Sequence, residues 1–382
     1  MSGRKRHCHG RRGAITAATA VFIPVLLGFA ALAVDIGFHC VVRAQLQNAA
    51  DAAALAGASA YFSDFALAGD EIGLENLVRT RACETGALNE SVGQPTIFEP
   101  HHINVGIHDW DAPTSPLGPV GRWNAIEATA HRTRDSVNGP VPYFFAQIFG
   151  LREGELRVKA RAAMNDRVDG YRFSETADFL PFTINEDLYN TLLRTGADAW
   201  SHNGQEVIPF SDGVPEIKLF PWRASEESFG NDGNGNFGTL QIGIGLGTSE
   251  LRDQIREGIS AEQMAAAFGT PELRFSTADG TPVSYPAGGN PGLSNGMKDA
   301  LADRLGDIVG FFVHKQVVGS GSNATFEVVG IRFGRIVEVS LTGSLTQRTL
   351  TIQPIAYTNE GVVTSTHGRS TEGQVGRVVL VR

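Results

Sequence analysis

A predominantly apolar run from Ile15 to Val34 is the strongest pattern in the chain. About 20 such residues, at about 1.5 Å of helical rise each, span the roughly 30 Å hydrocarbon core of a bilayer. The run turns polar at Asp35, yet the pattern stays helical. Ile36, Val41, Val42, Gln45, Leu46, Ala49, Ala50, Ala53, Leu55 and Ala56 recur at helical spacing, and alanines make up most of the later part of the stripe. Alanine has the highest helix propensity, and its methyl side chain lets helices approach closely. One helix is therefore expected to cross the membrane over 15–34 and continue beyond it. Its stripe of Ala49, Ala50, Ala53, Ala56 and Gly57 is expected to pack on partner helices.

Further along, Leu74, Leu77, Val78, Ala82 and Leu88 predict a second helix, with Gly86 as an interruption. Strand-like alternation follows at Ile97–Phe98 and Ile103–Ile107, and the turn-dense run from Asp111 to Gly121 reads as a hairpin tip before a returning strand at 126–130. Pro142 is expected to open a short helix carrying Phe144, Phe145, Ile148 and Phe149 and stopped by Gly150; covering the sheet is the favoured role for its aromatic face, with docking to a partner or to the membrane surface as the alternative. Leu156–Ala162 alternates as another half-buried strand.

A composition shift near 166–173 marks a boundary between a module over 35–168 and a β-rich domain over 169–382. In the latter, Asn185 reads as an N-cap with Gly196 near the helix stop, and Ser260 with Gln263 as a capping box. Met297, Leu301, Leu305 and Ile308 predict a third amphipathic helix. From Gly310 onward strands dominate, with a turn expected near Gly334. The fold class is α+β: a membrane helix extending into a pilin-like α/β module, followed by a β-rich domain with a few helices.

Charge adds orientation. The net charge is −9, yet Arg4, Lys5, Arg6, Arg11 and Arg12 all precede the apolar run. A basic tail (1–14) stays on the cytoplasmic side, so the expected arrangement is a single pass through the inner membrane with the body outside the cytoplasm. The acidic remainder lacks the basic footprint that nucleic-acid binding needs. Three cysteines are too few for a disulfide framework, and spacing alone leaves a Cys40–Cys83 bridge open. The basic start and Ala31-Leu32-Ala33 also fit a cleaved secretory signal, but the long run and its unbroken helical continuation favour a retained anchor.

The stretch from Arg11 to Ala60 resembles the N-terminal module of TadE/TadG-like proteins, which are associated with the Tad (tight adherence, Flp pilus) assembly machinery. The resemblance rests on Gly13, Pro24, the Ala-Val-Asp turn at Asp35 and the Ala-rich run from Arg43 to Gly57. Pseudopilin members of the family carry a glutamate five residues after the glycine used in processing. Ala18 stands at that position here. The resemblance thus implies an anchor that assembles with other pilus-assembly or secretion membrane proteins, or with a further copy of itself, rather than a processed pilus subunit. No D-x-S-x-S metal-adhesion motif is present. The strand–aromatic helix–strand unit and two later stretches, 235–258 and 304–333, are similar to the same proteins more loosely.

Candidate chemistry is sparse. His101 and His102 are expected on opposite faces of a strand, and His7-Cys8-His9 lacks metal-ligand spacing, so no metal is expected. Gly233–Gly238 matches G-x-G-x-x-G, but strand rather than helix character follows it, which excludes a dinucleotide fold. Asp232, Asn234 and Asn236 resemble half an EF-hand loop without its central glycine or final glutamate. Gly245, Gly247, Thr248 and Ser249 lie between a strand and a helix start, where free N–H groups could hold an anion. No nucleophile stands in a catalytic context. The expected protein is a non-catalytic component of a Tad/Flp-type pilus-assembly or related apparatus, with no cofactor. A membrane-tethered envelope enzyme and a carbohydrate-binding adhesin are the rival readings.

Overall fold

The computed structural model describes residues 12–119, 121–219, 237–243, 247–291, 295–319, 323–343 and 348–381. The basic residues before Arg12, the His7-Cys8-His9 tract, residues 233–236 and Gly245 lie outside them.

Helix α1, Arg12–Ser59, runs unbroken through Pro24 and Asp35. Its 48 residues correspond to roughly 72 Å. It is long and apolar enough to cross a membrane. From 18 to 34 every residue is exposed except Ala31, which is half-buried. From Val42 onward one face becomes fully buried.

That face meets helix α2, Glu71–Ala87, and an antiparallel sheet. The sheet is built from β1 (Ile103–Gly106), β2 (Ala125–Arg132) and, after the short strands β3 (Val141–Pro142) and β4 (Glu153–Gly154), from β5 (Leu156–Asn165). β1 and β2 form the expected hairpin, with Ile103 opposite Ala128 and Gly106 opposite Ala125. Gly86 does not interrupt α2. It is buried within the helix, and a Cβ there would lie 2.6 Å from the Phe98 ring and 3.0 Å from the Ala53 Cβ. A missing side chain, not a bent backbone, is what this position requires. Tyr61 ties the end of α1 to the sheet by donating its hydroxyl to the Ala125 carbonyl at 2.7 Å.

The remaining chain forms β6 (Arg167–Arg172), β7 (Phe179–Asn185), α3 (Glu186–Thr195), β8 (Ile217–Leu219) and β9 (Phe237–Leu240). Then come α4 (Thr248–Glu257), α5 (Ala261–Phe268), β10 (Tyr285–Pro291) and α6 (Lys298–Ala302). The longer strands toward the C-terminus are β11 (Ile308–Val318), β12 (Ala324–Ser340), β13 (Thr349–Pro354) and β14 (Arg377–Val381). The large sheet has the order β8-β13-β12-β10-β9-β7-β11, and β11 pairs back onto β12, so five strands close into a ring. The Asn185 cap and the Ser260–Gln263 capping box form as expected, with Asn185 accepting from the Leu188 amide at 3.1 Å.

Three expectations change. Gly334 lies inside a single 17-residue strand, β12, and makes no turn. A Cβ there would lie 2.3 Å from Ile352 Cγ2, so the glycine permits close strand packing. The third amphipathic helix is only the five-residue α6: Met297 and Leu301 are buried, but Leu305 is exposed and Ile308 begins a strand. The division at 168 also fails for the last strand. β14 joins β5, with Arg377 opposite Asn165, and adds Val378 and Leu380 to the core of the first module. Cys40 and Cys83 are unpaired.

Two outcomes are expected in unfolding experiments. Replacing buried Ala53 by leucine overpacks the contact of α1 with α2 and should lower stability by about 1–3 kcal/mol. Leucine at half-buried Ala56 should cost clearly less. Equal thermal midpoints for the two variants would refute the packing argument. The second concerns His314, buried on β11 with Nδ1 at 3.0 Å from the Thr183 hydroxyl. Burial pushes its pKa down to about 4. The unfolded imidazole titrates near 6.5, so the unfolded chain takes up the proton first as pH falls. Stability is fully present above about pH 6.5 and is lost toward pH 4, by about 3 kcal/mol. Denaturant titrations across that range should give a shallower slope for His314→Leu.

Candidate functional site at the membrane-proximal junction

Where α1 leaves the body, the chain from β3 to β4 forms a hairpin against it. Val141 pairs with Gly154 and Pro142 with Glu153, and the Tyr143 amide donates to the Arg152 carbonyl at 3.0 Å. The tip contains one 3-10 turn, Ala146–Phe149, closed by Gly150 at φ 83°. Positive φ suits glycine because a side chain would clash there.

The amides at the start of such a turn have no partner within it. Asp35 supplies one. Its Oδ1 accepts from Phe144 N at 2.7 Å, its Oδ2 accepts from Ala146 N at 2.6 Å, and the Phe145 amide donates to both oxygens, at 3.3 and 3.1 Å. Asp35 is 3% exposed. A buried carboxylate is costly unless hydrogen-bonded, and hydrogen bonds to an ionised acceptor are the stronger kind. The same helix face adds Phe38, edge-on to Phe144 at 4.9 Å, and His39, stacked on Tyr143 at 4.9 Å. Gly154 completes the fit, because a Cβ there would lie 2.6 Å from the His39 ring.

The segment does not cover the sheet as expected. Phe144, Phe145, Ile148, Phe149 and Leu151 are all exposed, Ile148 and Phe149 by nearly four-fifths. The sequence signal for this junction was the lone acid ending an apolar run; its partner, some 110 residues away, was not legible.

The alanine stripe is also placed differently. Ala49, Ala50 and Ala53 have no exposed area, Gly57 is buried and Ala56 is half-buried. A Cβ on Gly57 would lie 2.3 Å from Ile126 Cδ1 and 3.2 Å from Ala82 Cβ. The face expected to receive another protein's helix is filled by this chain's own α2 and sheet, whose apolar surfaces need cover.

Of the expected anion site, Gly247, Thr248 and Ser249 stand at the start of α4. The Gly247 amide already donates to Glu250 Oε2 at 2.9 Å. The adjoining cleft, of about 530 Å³, is lined by Glu250, Asp253, Glu257 and Glu262. These groups repel an anion and occupy the donor it would use.

His101 and His102 do not alternate across a strand. They share a 3-10 turn, Pro100–His102, with ring centroids 4.1 Å apart, and His131 stacks on His102 at 4.4 Å. Burial, then neighbouring positive groups, holds His102 and His131 below the ordinary histidine range. Ligand-type atoms of Glu99, His101 and His102 lie within 4.8 Å of one another, but the Glu99 amide already donates to His102 Nδ1 at 3.4 Å.

Replacing Asp35 by alanine should leave the α1–sheet core folded while freeing the hairpin tip. Leaving these part-buried amides unpaired costs about 1–3 kcal/mol, so hydrogen exchange at Phe144, Phe145 and Ala146 should accelerate by roughly 10–100-fold. Unchanged exchange there would show that the carboxylate is not the clamp.

Against this geometry, residues 13–60 match the family described as putative Flp pilus-assembly TadE/G-like. The matched segment is essentially α1, including Asp35 and the alanine face. The looser likeness of the later stretches lies outside it. No curated protein and no solved structure matches the chain.

Proposed function

We propose that this chain is a non-catalytic, membrane-anchored component of a Tad/Flp-type pilus-assembly or related secretion apparatus. The observation that carries the reading is the coincidence of the family match with one continuous helix. Its residues 18–34 are mostly apolar and, save for half-buried Ala31, exposed, and its second half is the central element of a folded core. A rigid connection of that kind transmits position from the membrane to the body without a flexible linker. The anchor tethers, and the body beyond Asp35 docks other assembly proteins or a further copy of the chain outside the cytoplasm.

The basic residues before the apolar run support an N-terminus on the cytoplasmic side of the inner membrane. Ala18, where the processed subunits of the family carry glutamate, favours a retained tether over a filament subunit. The acidity of the chain argues against a nucleic-acid partner.

Two measurements test this reading. Crosslinking in native membranes should recover other membrane proteins of the assembly apparatus; recovery of envelope polysaccharide-processing activity instead would move the protein to the enzyme class. In spheroplasts, an impermeant thiol reagent should modify Leu88→Cys in a chain otherwise free of cysteine. It should leave Cys8 untouched when that is the only thiol. The reverse labelling would invert the orientation.

A further inference from the structure

We propose that the hairpin tip of residues 144–151 enters the phospholipid interface beside α1, giving the body a second, non-spanning contact with the membrane. The inference deepens the proposed anchoring and rests on α1 crossing the bilayer.

The direction of the tip follows from its contacts. Gly154 and Tyr143 lie against His39, Phe144 lies against Phe38, and Phe144–Ala146 are held by Asp35. From its base toward its tip, the hairpin therefore steps back along α1 from residue 39 to residue 35, toward the apolar run. Ala31, one turn further and on the same face as Asp35, is the only residue between 18 and 34 that is not exposed. The tip thus reaches the level at which the helix becomes lipid-compatible.

Its chemistry suits that position. Phe144, Phe145, Ile148, Phe149 and Leu151 are all exposed apolar residues, held at Asp35 beside the point where α1 becomes exposed and apolar, at Leu32 and Val34. In water such a surface is unfavourable; at the acyl boundary it is not. Lipid also demands that backbone polar groups find partners inside the protein. The amides from Tyr143 to Ala146, and those of Ile148, Gly150 and Leu151, all have them. Exposed Arg152 follows directly, where its guanidinium can reach a lipid phosphate while its stem stays beside the apolar tip. Continuity with the anchor selects lipid over a protein partner: any bilayer around residues 15–34 already meets the tip.

The test uses the full chain in liposomes of phosphatidylethanolamine and phosphatidylglycerol containing a phospholipid with a diazirine near the top of its acyl chain. After irradiation, lipid adducts should appear on both α1 and the peptide 143–152. Ile148→Glu with Phe149→Glu, both at exposed positions, should reduce hairpin adducts several-fold while leaving those on α1 unchanged. Adducts on α1 alone would overturn the inference and leave the anchor intact. Hairpin-to-hairpin crosslinks without lipid adducts would assign the surface to a second copy and also overturn it. Absence of adducts from α1 as well would remove the anchor reading itself.

Discussion

Close approach between α1, α2 and the four-stranded sheet is the constraint on which the membrane-proximal module depends. Ala49, Ala50 and Ala53 present only methyl groups, and Gly57 and Gly86 present none where Ile126, Phe98 and Ala53 come nearest. Dense packing of this kind has no tolerance for larger side chains. It also explains how one helix can serve two solvents. Between 18 and 34 the large apolar residues face outward, and the alanines concentrate from Ala49 onward, where the body has to fit against the helix.

Asp35 sits at the change between those two environments and gives it a structural definition. A carboxylate there would be poorly placed in lipid and unpaired in the core. Folding resolves both problems by bringing it the three free amides of a turn some 110 residues later. The same bonds fix the hairpin in place and leave its aromatic tip uncovered. A polar requirement thus decides where apolar side chains are displayed.

Beyond the junction, the chain returns to its starting point. The ring of strands in the second region is entered through β6 and left through the segment before β14. That last strand completes the sheet under α1. Ends that meet in one sheet tie the ring of strands to the membrane-proximal module through paired backbone, not a linker. The long helix, the module and the ring of strands are therefore joined without a flexible linker.

The sequence by itself determined α1, its polar transition at Asp35, the β1–β2 hairpin, the caps at Asn185 and Ser260, and the likeness that residues 13–60 bear to one family. These features are local: periodicity, capping geometry and turn chemistry act over a few residues, and a membrane-length apolar run is legible from composition. Tertiary structure decided what the alanine face touches, because an alanine stripe fits any close surface and the chain's own sheet was the one available. It decided that Gly86 and Gly334 allow contact instead of breaking elements, since a glycine's neighbours across space are not written beside it. It assigned β14 to the first module, a pairing more than 200 residues apart. It also brought Asp35 to the hairpin amides and left Phe144–Leu151 uncovered, because a buried carboxylate must find donors wherever the folded chain can present them.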